Sequence, residues 1–536
     1  MNRFAALLDS LIFTPSRNMK IRLLSDYFAV TPDPERGWAV AAITRDLEIK
    51  SIKSAMIRGL VNARVDEELF ALSYDYVGDL AETVSLIWPA RHGQNYVPTL
   101  SEVVEALNNS TRQEAPVLVE QWFDALDPAG RWALIKLITG GLRIGVAARL
   151  VKLALADFGN VPPQEIEELW HGLEPPYEEL FAWLEGKAEK PISAAQAPFR
   201  PVMLAHAVEE GDKDKIDLAA MATEWKWDGI RIQAVQEGDV ARIYTRTGDD
   251  ISHAFPDVQA ALPPNAALDG ELLVYDPEVE GEFSVRPFND LQQRLNRKTV
   301  SKKLLKDNPA FIRAYDLLWQ DGEDLRPLPF QARRARLETL LKEYPSPRLD
   351  ISPMVDVSSW EELTALRANP PDIAMEGLML KKWAAPYVPG RPKGEWWKWK
   401  REPFLVDCVL MYAQRGHGKR SSFYSDYTFG VWRGEDGAEE LIPVGKAYHG
   451  FTDEELKKLD KYVRDNTTDR FGPVRAVTAT PDQGLVLEIA FEGLNRSPRH
   501  KSGVAMRFPR VSRLRWDKPA HEADRIEALE AMLPPL

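Results

Sequence analysis

The sequence predicts a chain of three parts: an all-α part first, an α+β part in the middle and a small β-barrel last. Two changes of hydrophobic period and one linker-like stretch predict it. From Phe4 to about Leu184, apolar residues recur at helical spacing, as in Phe4, Leu7, Leu8 and Leu11. Beyond about 200 the period shortens to alternation, and beyond Arg401-Glu402-Pro403 strand-like runs dominate. A chain of 536 residues, 44% of them hydrophobic, can bury several cores, and at ~100–200 residues per domain about three are expected.

In the helical part, Thr99-Leu100-Ser101-Glu102 reads as a capping box ahead of Val103, Val104 and Leu107. The small, polar, Pro-containing stretch from Gly186 to Pro198 reads as a linker. The predicted domains are therefore 1–190, 200–401 and 402–536. In the middle part, Ile230, Ile232 and Ala234 alternate with Arg231 and Gln233, while Leu272 to Tyr275 and Phe311 to Tyr315 are short strand-like runs. In the last part, Leu405 to Tyr412, Tyr427 to Trp432 and Leu485 to Phe491 read as strands, with a helix opened by the capping box Thr452-Asp453-Glu454-Glu455. Several short strands with one helix suit a small barrel such as an OB-fold.

The 68 basic and 81 acidic residues give a net charge of −13, which counts against a protein that coats nucleic acid indiscriminately. A single cysteine, Cys408, excludes an intrachain disulfide framework and an all-cysteine zinc module, so no structural zinc is expected. Cys408 lies in an apolar run and reads as a small core residue. No long apolar run is present and Asp9 interrupts the first apolar stretch, so no membrane association is expected and the location is expected to be cytoplasmic.

Glu224-Trp225-Lys226-Trp227-Asp228-Gly229-Ile230-Arg231 sets a lysine between aromatic rings before an Asp-Gly pair, a strong hairpin signal that would let Lys226 and Arg231 flank a turn. A lysine attacks only as the neutral amine, and apolar walls and nearby cations favour that form. Alone, the octapeptide equally suits an exposed hairpin. Leu268-Asp269-Gly270-Glu271-Leu272 and Met375-Glu376-Gly377 each put a carboxylate beside glycine at the head of an apolar strand. Two converging carboxylates with phosphate oxygens would hold Mg²⁺; singly, each also suits a turn. In Trp396-Trp397-Lys398-Trp399-Lys400 alternation puts Lys398 and Lys400 on one strand face, which suits a phosphate or a solvated edge.

Together these elements resemble the covalent nucleotidyltransferase superfamily, and most closely its ATP-dependent DNA ligases of the three-domain bacterial type. The resemblance spans about 198–520, in the family's order. It implies Lys226 as the nucleophile that carries AMP, Glu224 near the adenine and Arg231 near the ribose. Tyr244-Thr245-Arg246-Thr247-Gly248 is similar to the next element, with Arg246 reaching a phosphate or strand end, although Thr245 and Thr247-Gly248 stand where Ser and Asn are usual. Glu271 would carry the ribose-binding and metal-linked role, and Glu376 the metal-binding one, with Lys381 beside it. Phe288 to Lys298 resembles a Leu-Gln and Arg-Lys pattern of these ligases. Tyr315 of Tyr315-Asp316 would stack on adenine where Phe is usual, and Lys398 and Lys400 would hold the α-phosphate. Gly445-Lys446, Glu488 to Gly493 and Gly503 to Pro519 are similar to the ligase OB domain, implying that Arg507 orients pyrophosphate in a closure hinged near Lys400 to Pro403. Ile138 to Gly145 resembles an element of the family's helical DNA-binding domain.

The resemblance implies ATP and Mg²⁺, with Mn²⁺ a possible substitute, and nicked double-stranded DNA as the partner of a monomer serving the nucleoid. DNA-binding residues would be Gly140, Gly141 and Gly145, whose amides approach phosphates at helix ends, with Arg143, Arg510 and Arg513. From 496 to 518 the bases Arg496, Arg499, Lys501, Arg507, Arg510, Arg513, Arg515 and Lys518 face one acid, Asp517, which predicts a local cationic surface on an acidic protein. An RNA ligase, a GTP-using capping enzyme and a non-catalytic DNA-binding scaffold share parts of this pattern. NAD-dependent ligation fits less, because its zinc module needs cysteines, and no Walker loop is present.

Overall fold

The structure is a computed structural model and describes residues 1–536 except 48, 50, 51, 92, 94, 192–195, 277–284, 296, 298, 373, 417–423, 435–438 and 534–536. The predicted linker and the Arg-Lys pattern lie partly outside the described residues, at 192–195, Asn296 and Lys298. The chain forms two compact units: Met1–Leu23, Trp38–Val146 and Pro403–Leu536 make one, Leu24–Gly37 and Ala147–Glu402 the other. The sequence predicts a first boundary at 185–200, whereas this division falls at 146–147. The reason is packing: Phe28, Phe158 and Phe181 meet edge-on, and Arg36 lies 4.2 Å over the Phe181 ring while pairing with Glu185 at 2.8 Å. Among the described residues no helix is long and apolar enough to cross a membrane.

The second unit carries β1 (His206–Ala207), β2 (Met221–Trp227), β3 (Ile230–Glu237), β4 (Val240–Thr245), β5 (Ala266–Val274), β6 (Ala310–Gln320), β7 (Glu323–Asp324), β8 (Leu349–Ile351), β9 (Met375–Lys382) and β10 (Trp396–Lys400). They form one sheet in the order β1-β10-β9-β2 and another in the order β4-β3-β5-β6-β7, with β8 alongside β6. The expected hairpin at Asp228-Gly229 does not form, because β2 pairs with β9 while β3 pairs with β4 and β5. The chain instead crosses between sheets there. A Cβ at Gly229 would lie 2.5 Å from the Leu272 carbonyl oxygen, so close approach of β5 requires the glycine. Trp225, Trp227, Leu378 and Trp399 pack with Leu273 and Phe311 and join the two sheets.

The helix Phe330–Glu343 covers the second sheet. Its buried stripe, Phe330, Arg333, Arg334, Leu337 and Leu340, has helical spacing but contains two arginines. Burial of Arg333 is tolerated because Asp316, equally buried, accepts from its Nε at 2.8 Å and from its Nη2 at 2.9 Å.

In the first unit the helix Leu100–Asn109 opens with the predicted reciprocal box: Glu102 N–H donates to Thr99 Oγ1 at 3.2 Å and Thr99 N–H to Glu102 at 2.8 Å. The C-terminal portion contains β11 (Phe404–Arg415), β12 (Tyr424–Arg433), β13 (Glu440–Ala447), β14 (Thr467–Phe471), β15 (Val474–Val477), β16 (Val486–Phe491), β17 (Gly493–Arg496), β18 (Val504–Arg507) and β19 (Arg510–Arg515). Seven of these strands make one sheet, in which β11 pairs with β16 through Phe404–Val409 and with β15 through Tyr412–Gln414. Irregular register after Leu410 and Gln414 bends β11 between these partners. The predicted helix runs Asp453–Asp465 from its Thr452 box and inserts Leu459 and Val463 into the core, where Cys408 is fully buried. The strand-rich architecture is as expected, and a second, short helix, Ile526–Glu530, follows the predicted one.

Candidate active site

Strand register assembles the site. Gly377 on β9 stands opposite Lys226 on β2 and Lys400 on β10, which brings Glu376 between two lysines. Glu376 accepts from Lys226 Nζ and, at 3.1 Å, from Lys400 Nζ. At φ +148°, a Cβ on Gly377 would come 2.3 Å from the Trp399 carbonyl oxygen, so the glycine permits this close crossing. Burial pushes the Glu376 carboxyl up, but Lys226 and Lys400 outweigh it and hold it below its ordinary value. Lys398 is lowered, first by burial and then by Lys226, Arg391, Lys400 and Arg246. The predicted lysines and Arg246 therefore share one field.

Arg231 on β3 faces Glu271 on β5. Both Asp269 and Glu271 lie inside β5 rather than at its head, because the strand extends upstream to Ala266. Burial pushes the Glu271 carboxyl up to about 8; Lys226 and Arg231 oppose the shift, while Glu376 and Asp228 reinforce it. Glu271 is thus largely protonated at neutral pH, and its carboxyl neighbours that of Glu376. Mg²⁺ uses one or two carboxylates with phosphate and water, so this donor pair fits it. Among the described residues no cluster of three or more His, Cys, Asp or Glu offers a complete protein cage.

The resemblance implies an acidic role for Glu271; the neighbouring Asp269 is bonded on both oxygens. Asp269 accepts from Arg231 Nε at 3.0 Å and Nη2 at 2.7 Å, and from the Tyr387 hydroxyl at 2.6 Å. Tyr387 has no sequence signal, since it lies in a coil between β9 and β10. Tyr315 occupies a bulge: Gly270 pairs with Ala314 and Asp269 with Asp316, leaving Tyr315 the extra residue on β6. Its ring lies 4.2 Å from Lys381 Nζ and 5.9 Å from the Arg231 guanidinium, and burial pushes its hydroxyl far above the ordinary range.

Glu224 is buried with Lys381, 2.5 Å from its Nζ, and also pairs with Arg334 at 3.1 Å. Arg334 comes from the buried stripe of the helix Phe330–Glu343. Arg246 is exposed after β4, on a loop closed by its own side chains. Thr247 Oγ1 donates to Asp249 at 2.5 Å and Thr245 Oγ1 does so at 3.1 Å.

Gly140 N–H donates to Leu137 O at 3.3 Å and Gly141 N–H to Lys136 O at 3.1 Å, closing the end of the helix Pro128–Ile138. Their amides are consumed, and a helix C-terminus repels anions. Arg143 is exposed, and Gly145, at φ +67°, donates nothing to this closure while its carbonyl accepts from Lys20 Nζ at 2.9 Å. The basic tail is partly paired: Arg510 pairs with Glu492 at 2.9 Å, Lys518 with Asp407 at 2.8 Å, Arg515 with Asp407 at 3.3 Å and Arg513 with Asp517 at 3.8 Å. Asp407 from β11 and Glu492 from the bend after β16 are acids that the linear count omits. Arg507 lies in the first unit at the end of β18, its guanidinium 5.2 Å over the Phe508 ring.

A family model described as ATP dependent DNA ligase domain matches residues 202–400, and one for the ATP dependent DNA ligase C terminal region matches 420–518. The chain is 30% identical to a probable DNA ligase of Koribacter versatilis over 99% of this chain and 96% of that protein. It is 31% identical to DNA ligase 1 of Korarchaeum cryptofilum over 80% of this chain and 78% of that protein. A solved structure described as Pmar-Lig_Pre has a TM-score of 0.57 at 15% identity, over 96% of this chain and 99% of that one, a likeness of fold alone.

Proposed function

Because the chain belongs to the ATP-dependent DNA ligase family, we propose that Lys226 is its nucleophile and that its substrate is a nick in double-stranded DNA with a 5′-phosphate and a 3′-hydroxyl. The observation that carries this reading is the convergence of Lys226 and Lys400 on the Glu376 carboxylate, with Lys398 and Arg246 in the same field.

In the first step the Lys226 amine attacks the α-phosphate of ATP, a phosphoramidate bond to AMP forms and pyrophosphate leaves. Lys226 must first leave Glu376 and lose a proton, since the ammonium form has no lone pair to offer. Lys398 and Lys400 offset charge developing on the phosphate, which is how phosphoryl transfer is chiefly catalysed. In the second step AMP passes to the 5′-phosphate. In the third the 3′-hydroxyl displaces AMP and the strand is sealed. Tyr315 stacks on adenine, Glu224 sits near its edge, Arg231 meets the ribose, and Arg246 meets phosphate or the strand end.

Glu271 and Glu376 would hold Mg²⁺, or Mn²⁺ in its place, which would supply charge neutralisation at the phosphates. The C-terminal strands act as an OB-fold that presents Arg507 to the leaving pyrophosphate, with Arg510 and Arg513 available to DNA when their surface acids yield. Arg143 and Gly145 remain the DNA-facing candidates of the helical part. The enzyme acts as a monomer in the cytoplasm. The test is a denaturing gel after incubation with ATP labelled at the α-phosphate and Mg²⁺, followed by nicked duplex. Wild type should become labelled and then seal the nick; label persisting on Lys226→Ala would defeat the assignment.

A further inference from the structure

Arginine has five N–H donors in a planar fork and no acceptor. In Arg231, Nε donates to Asp269 Oδ1, and Nη2 donates to Asp269 Oδ2 and, at 3.2 Å, to the Tyr387 hydroxyl oxygen. Among the described residues nothing accepts from Nη1. Tyr387 returns a bond of its own, donating to Asp269 Oδ2 at 2.6 Å. The three groups thus close a ring in which each holds the other two. Asp269 is 0% and Tyr387 3% exposed, and the Tyr387 ring meets the edge of Trp396 at 5.7 Å while its backbone N–H is fixed by the Arg326 carbonyl at 2.8 Å. Water is excluded from one side of the fork, and the Nη1 donors are left for an outside acceptor.

We propose that Tyr387 is a positioning residue for ribonucleotide selection: with Asp269 it locks the Arg231 guanidinium so that Nη1 donates to a hydroxyl oxygen of the ATP ribose. This rests on the reading that Arg231 faces the ribose. A carboxylate alone fixes one edge of the fork but leaves it free to slide or pivot about that edge. The phenol adds a second point on Nη2 and also fixes the carboxylate oxygen it shares. Phenylalanine would fill the same space, so the hydroxyl is the part the proposal needs. A bond to a charged group is worth about 1.5 kcal/mol at the low end, or roughly tenfold in an equilibrium constant. A site built to bond a hydroxyl discriminates against the analogue that lacks it.

The experiment measures self-adenylation of the full chain with ATP and with 2′-deoxy- and 3′-deoxy-ATP, for wild type, Tyr387→Phe and Arg231→Lys. Tyr387→Phe should raise KM for ATP about tenfold, leave kcat within about twofold, and narrow the preference for ATP over one deoxy analogue by a similar factor, with the melting temperature little changed. If Arg231→Lys alters neither KM nor that preference, the ribose reading itself fails. If Arg231→Lys alters both and Tyr387→Phe neither, the Tyr387 proposal is overturned and the ribose reading stands. A Tyr387→Phe variant that melts earlier but keeps its KM and preference shows a packing residue only, and also overturns the proposal.

Discussion

Raising the pH should tighten divalent-cation binding through Glu271. Its carboxyl is pushed from the ordinary 4.5 to about 8, because burial outweighs the attraction of Lys226 and Arg231. A cation bound there must displace the proton. For such a group the ionised fraction is about 3% at pH 6.5 and about 76% at pH 8.5, so affinity should rise roughly 25-fold between them, about 2 kcal/mol. Without metal the folded protein keeps a proton that the unfolded chain loses above pH 4.5, so this group's contribution to stability falls as pH rises from 4.5 to 8. Cation binding acts in the opposite direction. In thermal unfolding with and without magnesium, the metal-induced rise in melting temperature should be larger at pH 8.5 than at 6.5 by roughly 4–8 °C for a domain of about 200 residues. Glu271→Gln cannot ionise and should abolish that difference. Equal metal-induced rises at both pH values in the wild type would refute the reasoning.

Gly377→Ala should reduce self-adenylation about a hundredfold or more, since the new Cβ meets the Trp399 carbonyl and must push β10, with Lys398 and Lys400, off β9; near-normal labelling would show that the crossing can relax. Asp316→Ala leaves Arg333 charged and uncompensated in the core and should cost about 3–5 kcal/mol in denaturant unfolding, while a paired Asp316→Leu, Arg333→Met variant should recover most of it. Tyr315→Phe should adenylate within about twofold of wild type, whereas Tyr315→Ala should lose about tenfold or more in KM for ATP, because the ring and not the hydroxyl provides the stacking surface.

Local periodicity made the order of architectures and both capping boxes legible, because a helix face or a cap depends only on residues a few positions apart. The order of the motifs identified the family, and the lysines and acids it pointed to do meet, through the registers of β2, β9 and β10. Partner choice was not legible. Asp228-Gly229 has hairpin chemistry, yet the two strands it separates belong to different sheets, since burying Trp225 and Trp227 between sheets outweighs a two-stranded turn. The run of bases near the C-terminus is cationic in sequence and partly paired in space, because Asp407 arrives from β11 and Glu492 from the bend after β16. Tyr387 becomes part of the site only through the burial of Asp269, and Arg334 only because one helix turns its arginines inward. What the sequence by itself determined was which chemistry is present and in what order. Tertiary structure alone decided which charges are paired, which amides are spent and which hydroxyl holds an arginine, since each depends on contacts between residues far apart in the chain whose energies are set by burial.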